Sequence, residues 1–370
     1  MISSEESVSD RSITLLSQLL FAQQAASKQP DCEADPIRQE IRNLDRPGFE
    51  DLHALACSNH VVVRGMESFL AQSREVGDST RILWAESALA AERARIRTAL
   101  EFLHEICEAF KEHSYDVVVI KSLDHWPDIG SDLDLFTQTP PERISKLMRR
   151  RFGARIAERS WGDRLAGKWN FIIPGLPEPV EIHFSRLGQT GEQESVASRL
   201  LEQKRTVFIA NHSYQVPSIS DRLMISTLQR MYRHFYFRLC DVVDSAALAD
   251  AGAIDFEQLR AAAESASIWE GVATYLVIVS DYVKTYRGTG LDLPTFVRAS
   301  ARFGGEQVQF ARGFLRVRIM PQSARLYGRQ LADVLGKGEL HNGARLSLLP
   351  WLATAAVVRQ KLTGSDKGIW

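Results

Sequence analysis

Two aspartates, Asp132 and Asp134, stand two residues apart in the segment Val117-Val-Val-Ile-Lys-Ser-Leu-Asp-His-Trp-Pro-Asp-Ile-Gly-Ser-Asp-Leu-Asp-Leu-Phe136. Leu133 and Leu135 alternate with them, so a strand here carries both carboxylates on one face. Two carboxylates cannot enter an apolar core without compensation. A hard divalent cation supplies it, because Mg²⁺ takes oxygen ligands from one or two carboxylates together with substrate phosphates. A third carboxylate follows in Pro179-Val-Glu-Ile-His-Phe184, where Val180, Ile182 and Phe184 face one way and Glu181 and His183 the other. If the two strands are neighbours, Asp132, Asp134 and Glu181 converge. Three carboxylates suffice for two metals, one activating an attacking oxygen and one binding a triphosphate.

The order of these parts resembles the polymerase-β-like nucleotidyltransferase superfamily. It is most similar to the bacterial uncharacterised nucleotidyltransferase family, whose pattern is Lys-Gly, then Asp-hydrophobic-Asp, then hydrophobic-acidic-hydrophobic-His. Lys121-Ser122 stands at the Lys-Gly position, Asp132-Leu133-Asp134 at the acidic pair and Glu181-Ile182-His183 at the third strand. His234, Arg238, Asp241 and Asp244 resemble a later helical motif of that family. The likeness covers residues 115 to 250. It implies an α+β fold, a small mixed-sheet nucleotidyltransferase core flanked by N- and C-terminal helical regions. It also implies Mg²⁺ or Mn²⁺ at Asp132, Asp134 and Glu181, with an NTP as donor. Lys121, Ser122, Ser131 and Lys168 are then the candidate nucleotide-binding groups. Ser122 departs from the family glycine, which lets backbone approach phosphate closely; serine offers a hydroxyl and a backbone N–H instead.

The implied activity is transfer of a nucleoside monophosphate to a hydroxyl of a small molecule, a protein or an RNA end. Two other classes stay open. One is a non-catalytic partner-binding protein with a degenerate nucleotidyltransferase core, for which Ser122 speaks. The other is a glycosyltransferase using Asp132-Leu-Asp134, which needs a longer α/β region before the motif. Glu181 is either a metal ligand or the general base, or a surface strand residue. Lys121 is either a phosphate contact or part of an ion pair with the carboxylates. Arg164 and Lys168 flank a Gly-bearing turn; the simpler expectation is solvated cations, the alternative reach to a triphosphate. Asp128 is expected to be solvated. Tyr232, Arg233, His234 and Arg238 fall on a helix facing the cleft, and the aromatics beside them are expected in the core.

These side chains need a scaffold. Ile96, Leu100, Leu103, Cys107 and Phe110 repeat at four and three residues, one face of a helix. Ile13 to Ala25 and Phe49 to Leu70 also suit helices, with a connector holding one short helix at 26–48. Val117 to Ile120 suits a buried strand. A helix from Pro140-Pro141 to Arg151 follows, with cationic Arg149, Arg150 and Arg151 where the helix dipole favours them. Strands are expected at 168–173, 180–184 and 206–210. From Pro217 the pattern is helical again, opened by the capping residues Ser218 and Asp221. Met224, Leu228, Met231, Phe235, Leu239 and Val242 form a continuous stripe, and helices are expected at 255–285, 291–302, 305–319, 321–336 and 343–362. Three regions result: 1–113 helical, 114–216 the α/β core and 217–370 helical.

Composition narrows the partners. Forty-five basic and 46 acidic residues give a net charge of −1, which argues against a nucleic-acid coat or a polybasic membrane binder. The acidic N-terminal segment lacks a signal peptide's features, and no run is apolar enough for a membrane span, so a cytoplasmic protein is expected. Cys32, Cys57, Cys107 and Cys240 lack metal-ligand spacing and are expected as reduced, mostly buried thiols.

Overall fold

The computed structural model describes residues 2–21, 36–352, 354, 355 and 358. The fold is mixed α and β, with small mixed sheets set among helices. Among these residues the chain opens with α1 (Ile2–Phe21), α2 (Pro36–Asn43), α3 (Arg46–Ser58), α4 (Val62–Glu75) and α5 (Ser79–Glu112). The middle holds β1 (Val118–Val119), β2 (Leu133–Thr137), α6 (Pro141–Phe152), β3 (Arg155–Ile156), α7 (Trp161–Ala166), β4 (Lys168–Ile172), β5 (Val180–Phe184), α8 (Glu194–Glu202), β6 (Arg205–Ile209) and β7 (His212–Val216). Then come α9 (Ile219–Thr227), β8 (Tyr236–Phe237), α10 (Leu239–Asp250), α11 (Phe256–Ser265), α12 (Trp269–Arg287), α13 (Thr295–Ser300), β9 (Val308–Ala311), β10 (Phe314–Val317), α14 (Ala324–Gly336) and α15 (Leu340–Ser347).

The principal sheet has the order β1-β2-β5-β4-β3. Its central pair, β2 and β5, is parallel, and Asp134 lies directly opposite Glu181. Every residue of both strands is buried, as expected of strands covered on both faces. β1 and β4 flank them antiparallel. The 34-residue α5 starts at Asp78, whose side chain accepts from Arg81 N–H at 3.0 Å. Its apolar stripe, Leu89, Ile96, Leu100, Leu103 and Phe110, is buried, and Tyr214 of β7 donates to the Leu100 carbonyl at 3.3 Å. The buried apolar residues form one cluster running from Ile13 to Leu326, so both helical regions share a core with the sheet. Asn59, fully buried between α3 and α4, ties the two helical regions together: its side chain donates to the Gly313 carbonyl at 2.9 Å and accepts from Leu239 N–H at 3.0 Å.

The helical expectation for the C-terminal part is corrected in three places. The stripe from Met224 to Val242 is not one helix: α9 widens into π-helical turns over Leu228–His234, Phe235 takes φ 56°, and β8 intervenes before α10. Residues 305–319 hold the β9–β10 hairpin, which joins β8 in a three-stranded sheet. The stretch 255–285 divides into α11 and α12 around Ala266–Ile268. In the N-terminal part, 49–70 likewise divides at Asn59–Val61. Part of the first expected helix, 22–25, part of the connector, 26–35, and most of the last ten or so residues lie outside the described residues, as does Cys32. Cys57, Cys107 and Cys240 are free thiols, with Cys57 exposed rather than buried. No helix among the described residues is long and apolar enough to cross a membrane.

Candidate active site

The two acidic segments meet because β2 and β5 pair in register. Ile120 N–H donates to the Asp134 carbonyl at 3.0 Å, carrying β1 one residue further along β2. The chain then turns sharply at Lys121, with φ 61°, and Ser122 folds back onto the acidic strand. The Ser122 hydroxyl accepts from Asp134 N–H at 2.7 Å and donates to the Asp132 carbonyl at 3.3 Å. The serine that departs from the family pattern is therefore a clamp on the backbone of the acidic pair. On the far side, Gly167 ends α7 with φ +68°, and a Cβ there would lie 2.9 Å from the Phe184 carbonyl. Only glycine fits this turn, and it delivers Lys168 to the start of β4.

A pocket of about 210 Å³ opens over this floor. Asp132, Asp134, Glu181, Lys121, Ser122, Ser131 and Lys168 all line it, so the seven residues named for metal and nucleotide come to one place. Lys121 pairs with Asp134 and reaches Glu181 at 3.6 Å. Lys168 reaches Glu181 at 2.7 Å and is 4% exposed, which corrects the expectation of a solvated cation; Arg164, on α7, is exposed. His183 Nε2 lies 2.8 Å from Glu181 and 3.4 Å from Asp134. The ion-pair alternative for Lys121 is thus realised.

The electrostatics separate the carboxylates. Burial pushes Glu181 up, but Lys168, Lys121 and His183 outweigh it and hold it well below the usual range. Burial and the neighbouring Asp134 charge push Asp132 up to about 6 against the pull of Lys121 and Lys168. Burial lowers Lys168, helped by Arg233 and opposed by Glu181. Burial would lower Lys121 too, but Asp134, Glu181 and Asp132 raise it.

The opposite wall comes from the π-helical turns, β8 and the start of α10. It brings Gln229, Arg230, Arg233, His234, Tyr236 and Arg238 to the pocket. A π-turn inside a helix frequently marks a functional site, because the extra residue re-aims the side chains around it. Arg230 is paired with Asp241 at 2.7 Å. Arg233 and Arg238 have no carboxylate partner among the described residues, and their buried Nε atoms make no hydrogen bond. Five cationic side chains therefore line the pocket against three carboxylates. Two histidines beside these arginines are held neutral. Burial, then Arg233, Arg230 and Arg238, drives His234 well below its ordinary value. Burial, then Arg238, His125 and Arg230, drives His60 down to about 2. Burial is the larger cause in both; in His125, which lines the same pocket, burial is outweighed by Cys240 and Asp244, which raise it well above its ordinary value.

Two groups of side chains have metal-ligand composition. Asp134, Glu181 and His183 offer ligand atoms within 4.8 Å of one another, and Asp134 Oδ1 is the oxygen that pairs with Lys121. These oxygen-rich donors suit a hard cation, with Asp132 alongside. His60, His125 and Cys240 are equally close, but the Arg238 guanidinium stands 3.4 Å from His60 Nδ1, a fixed cation against the same cluster.

Asp128, expected in solvent, is buried. It accepts from Val63 N–H at 2.6 Å and from Arg64 Nε at 2.8 Å. Arg64 continues to Asp244 at 2.6 Å, and Asp244 to His125 Nδ1 at 2.5 Å. Sequence spacing carries no signal for a pair 64 residues apart. Comparison of the chain with protein-family models, with curated proteins and with solved structures finds no match.

Proposed function

We propose that this chain is a metal-dependent nucleotidyltransferase with a nucleotidyltransferase core at residues 114–216. It moves a nucleoside monophosphate from an NTP to a hydroxyl of a small molecule, a protein or an RNA end and releases pyrophosphate. The observation that carries the proposal is the register of β2 and β5, which sets Asp134 opposite Glu181 in a pocket whose other wall is arginine. A Mg²⁺ or Mn²⁺ ion bound among Asp134, Glu181 and His183, with Asp132 alongside, supplies charge for the triphosphate and for the attacking oxygen. The chain's own groups divide the remaining work. Arg233 and Arg238 hold the phosphates, with guanidinium N–H groups that have no carboxylate to satisfy. Lys121 and Lys168 fix the carboxylates of Asp134 and Glu181 in position. Asp132, at about 6, is the carboxylate suited to take the proton of the acceptor hydroxyl; Glu181, held much lower, is the weaker base. Catalysis rests on positioning and charge stabilisation.

A degenerate, non-catalytic core is less well supported, because Ser122, its main support, takes part in fixing the acidic strand. The test is incubation with each labelled NTP and Mg²⁺ or Mn²⁺, with and without cell extract. Label transfer by the wild type and none by the Asp132→Ala, Asp134→Ala double variant is the expected result. If wild type and variant are equally inert and neither binds a metal–NTP complex, the proposal falls.

A further inference from the structure

The three carboxylates of the pocket floor are not held alike. Asp134 pairs with Lys121, and Glu181 with Lys168. The Asp132 carboxylate has no hydrogen bond or ion pair among the described residues; Ser122 holds its backbone carbonyl, not its side chain. Its place therefore depends on the backbone that delivers it, Asp128-Ile129-Gly130-Ser131. The N-terminal helices grip that loop at three consecutive residues. Asp128 is held by Val63 and Arg64 of α4. Ile129 and Gly130 are held by Arg95 of α5, whose Nη2 donates to the Ile129 carbonyl at 3.2 Å and whose Nη1 donates to the Gly130 carbonyl at 3.3 Å. The other donors of Arg95 go to carboxylates. Nη1 meets Glu178 at 2.5 Å, and Nη2 and Nε meet Glu92, one turn earlier on α5, at 2.7 and 2.9 Å. All five guanidinium N–H groups are thereby used. Glu178, 4% exposed, stands just ahead of β5, and the carbonyl of the next residue, Pro179, accepts from Leu133 N–H at 2.9 Å. One guanidinium thus joins the entrances of both acid-bearing strands. Gly130 lies against the carboxylate in question: a Cβ there would be 3.6 Å from Asp132 Oδ1.

We propose that Arg95 is a positioning residue for the metal-binding carboxylates, and that through it helix α5 supports the active site. The inference rests on the nucleotidyltransferase reading, which supplies the metal. Two adjacent carbonyls turned to one planar cation fix two successive peptide planes. They fix the direction in which the chain enters Ser131 and Asp132. Glu92, with two bonds to the guanidinium, sets the plane of the fork. Glu178 carries the same restraint to β5 and hence to Glu181. The task needs an arginine. An ammonium is a compact head with three donors, and it cannot span two carbonyls and two carboxylates at once. Groups that orient metal ligands from behind typically contribute about 10–100-fold to metal affinity or activity.

The experiment measures Mn²⁺ binding to the full chain, read from loss of the free-ion EPR signal, and label transfer from NTP as a function of Mn²⁺ concentration. Wild type is compared with Arg95→Met, Arg95→Lys and Leu103→Ala at a temperature where each is folded. Leu103 is fully buried on the same helix and takes part in none of these contacts, so its truncation weakens α5 without releasing the loop. Arg95→Met is expected to weaken Mn²⁺ binding about 10–100-fold and to raise the Mn²⁺ concentration for half-maximal transfer by the same factor. Arg95→Lys restores a charge against Glu92 and Glu178, so it is expected to unfold near the wild-type midpoint and still keep most of the metal defect. It carries the same test if the methionine variant does not fold. Leu103→Ala is expected to unfold earlier and to bind Mn²⁺ as wild type does. Wild-type metal binding in folded Arg95→Met overturns the inference. A defect in Leu103→Ala as large as that in Arg95→Met overturns it by reducing the effect to stability, and full recovery in Arg95→Lys overturns it by reducing the effect to charge. Mn²⁺ bound by wild type without label transfer leaves the Arg95 result standing and removes the transfer reaction. A wild type that binds no Mn²⁺ removes both.

Discussion

Two charged clusters in this protein use the same side-chain types and differ in how completely they are paired. In one, Arg64 joins Asp128 and Asp244, and Asp244 joins His125, so each charge meets its opposite. In the other, Asp132 has no ion-pair partner among the described residues, and Arg233 and Arg238 have no carboxylate. The paired cluster spans α4, the loop before β2 and α10, and it fastens these three segments. The incompletely paired cluster lines the pocket, and its unused charges are what a metal-bound triphosphate would meet. A buried charge that is matched internally stabilises a position; one that is left unmatched keeps interaction free energy for a ligand, at a cost to the empty protein.

The largest effect should come from breaking the paired cluster. Arg64→Met leaves Asp128 and Asp244 buried without their cation and should destabilise the fold by about 3–5 kcal/mol. Denaturant unfolding measures it, and any activity lost should follow the unfolded fraction. A stable but inactive Arg64→Met protein would show that this network serves the site directly. The pocket should respond in the opposite way. Asp134→Asn keeps the shape and leaves Lys121 with Glu181 at 3.6 Å, so it should lower nucleotidyl transfer by the folded protein about 10²–10³-fold at a smaller cost in stability than Arg64→Met. Unchanged transfer rates in a folded Asp134→Asn protein would remove the acidic pair from the mechanism.

The pH dependence sharpens the contrast. Asp132 is raised from 3.8 to about 6 in the folded protein, so the folded state binds its proton more tightly than the unfolded chain. Between those values, rising pH ionises Asp132 at the expense of the fold, and stability falls. Asp132→Asn removes that cost. The variant should match wild type near pH 4 and melt higher above pH 6, by about 2–5 °C, while losing transfer activity. Thermal unfolding across pH 4 to 8 decides it; a gap that stays constant or narrows as pH rises contradicts the assignment. In the paired cluster the signs differ. Burial would raise Asp244, but Arg64 and His125 outweigh it and depress it, so its stabilisation persists at neutral pH and is lost as acid protonates it.

The floor of the pocket was legible in the sequence because strand alternation is a local signal. Leu133 and Leu135 against Asp132 and Asp134, and Val180, Ile182 and Phe184 against Glu181 and His183, fix which side chains share a face before any fold is known. The arginine wall was legible only in part. The stripe from Met224 to Val242 keeps helical spacing straight across Phe235, so periodicity does not reveal the π-turns or the break that aim Arg233 and Arg238 inward. The β9–β10 hairpin did carry a signal. Val308 and Phe310 alternate, as do Leu315 and Val317, on either side of Arg312-Gly313, both of which take positive φ as a two-residue hairpin turn requires. Asp128 was misplaced because its partner, Arg64, lies on another element 64 residues away.

The smallest expected effect concerns the residue that joins fold and site. Ser122 accepts the Asp134 N–H and donates to the Asp132 carbonyl, so it holds the backbone of both aspartates without touching their carboxylates. Ser122→Ala removes one hydrogen bond at each and should cost about 1–1.5 kcal/mol. If the clamp only stabilises, transfer rates measured well below the melting temperature stay at the wild-type level. If it positions the acidic pair, the metal concentration for half-maximal rate rises several-fold. Ser122→Gly separates the two further: it restores the residue of the family pattern but not the hydroxyl. Metal dependence that returns to normal in the glycine variant assigns the position to backbone approach; dependence that stays weakened assigns it to the hydroxyl clamp.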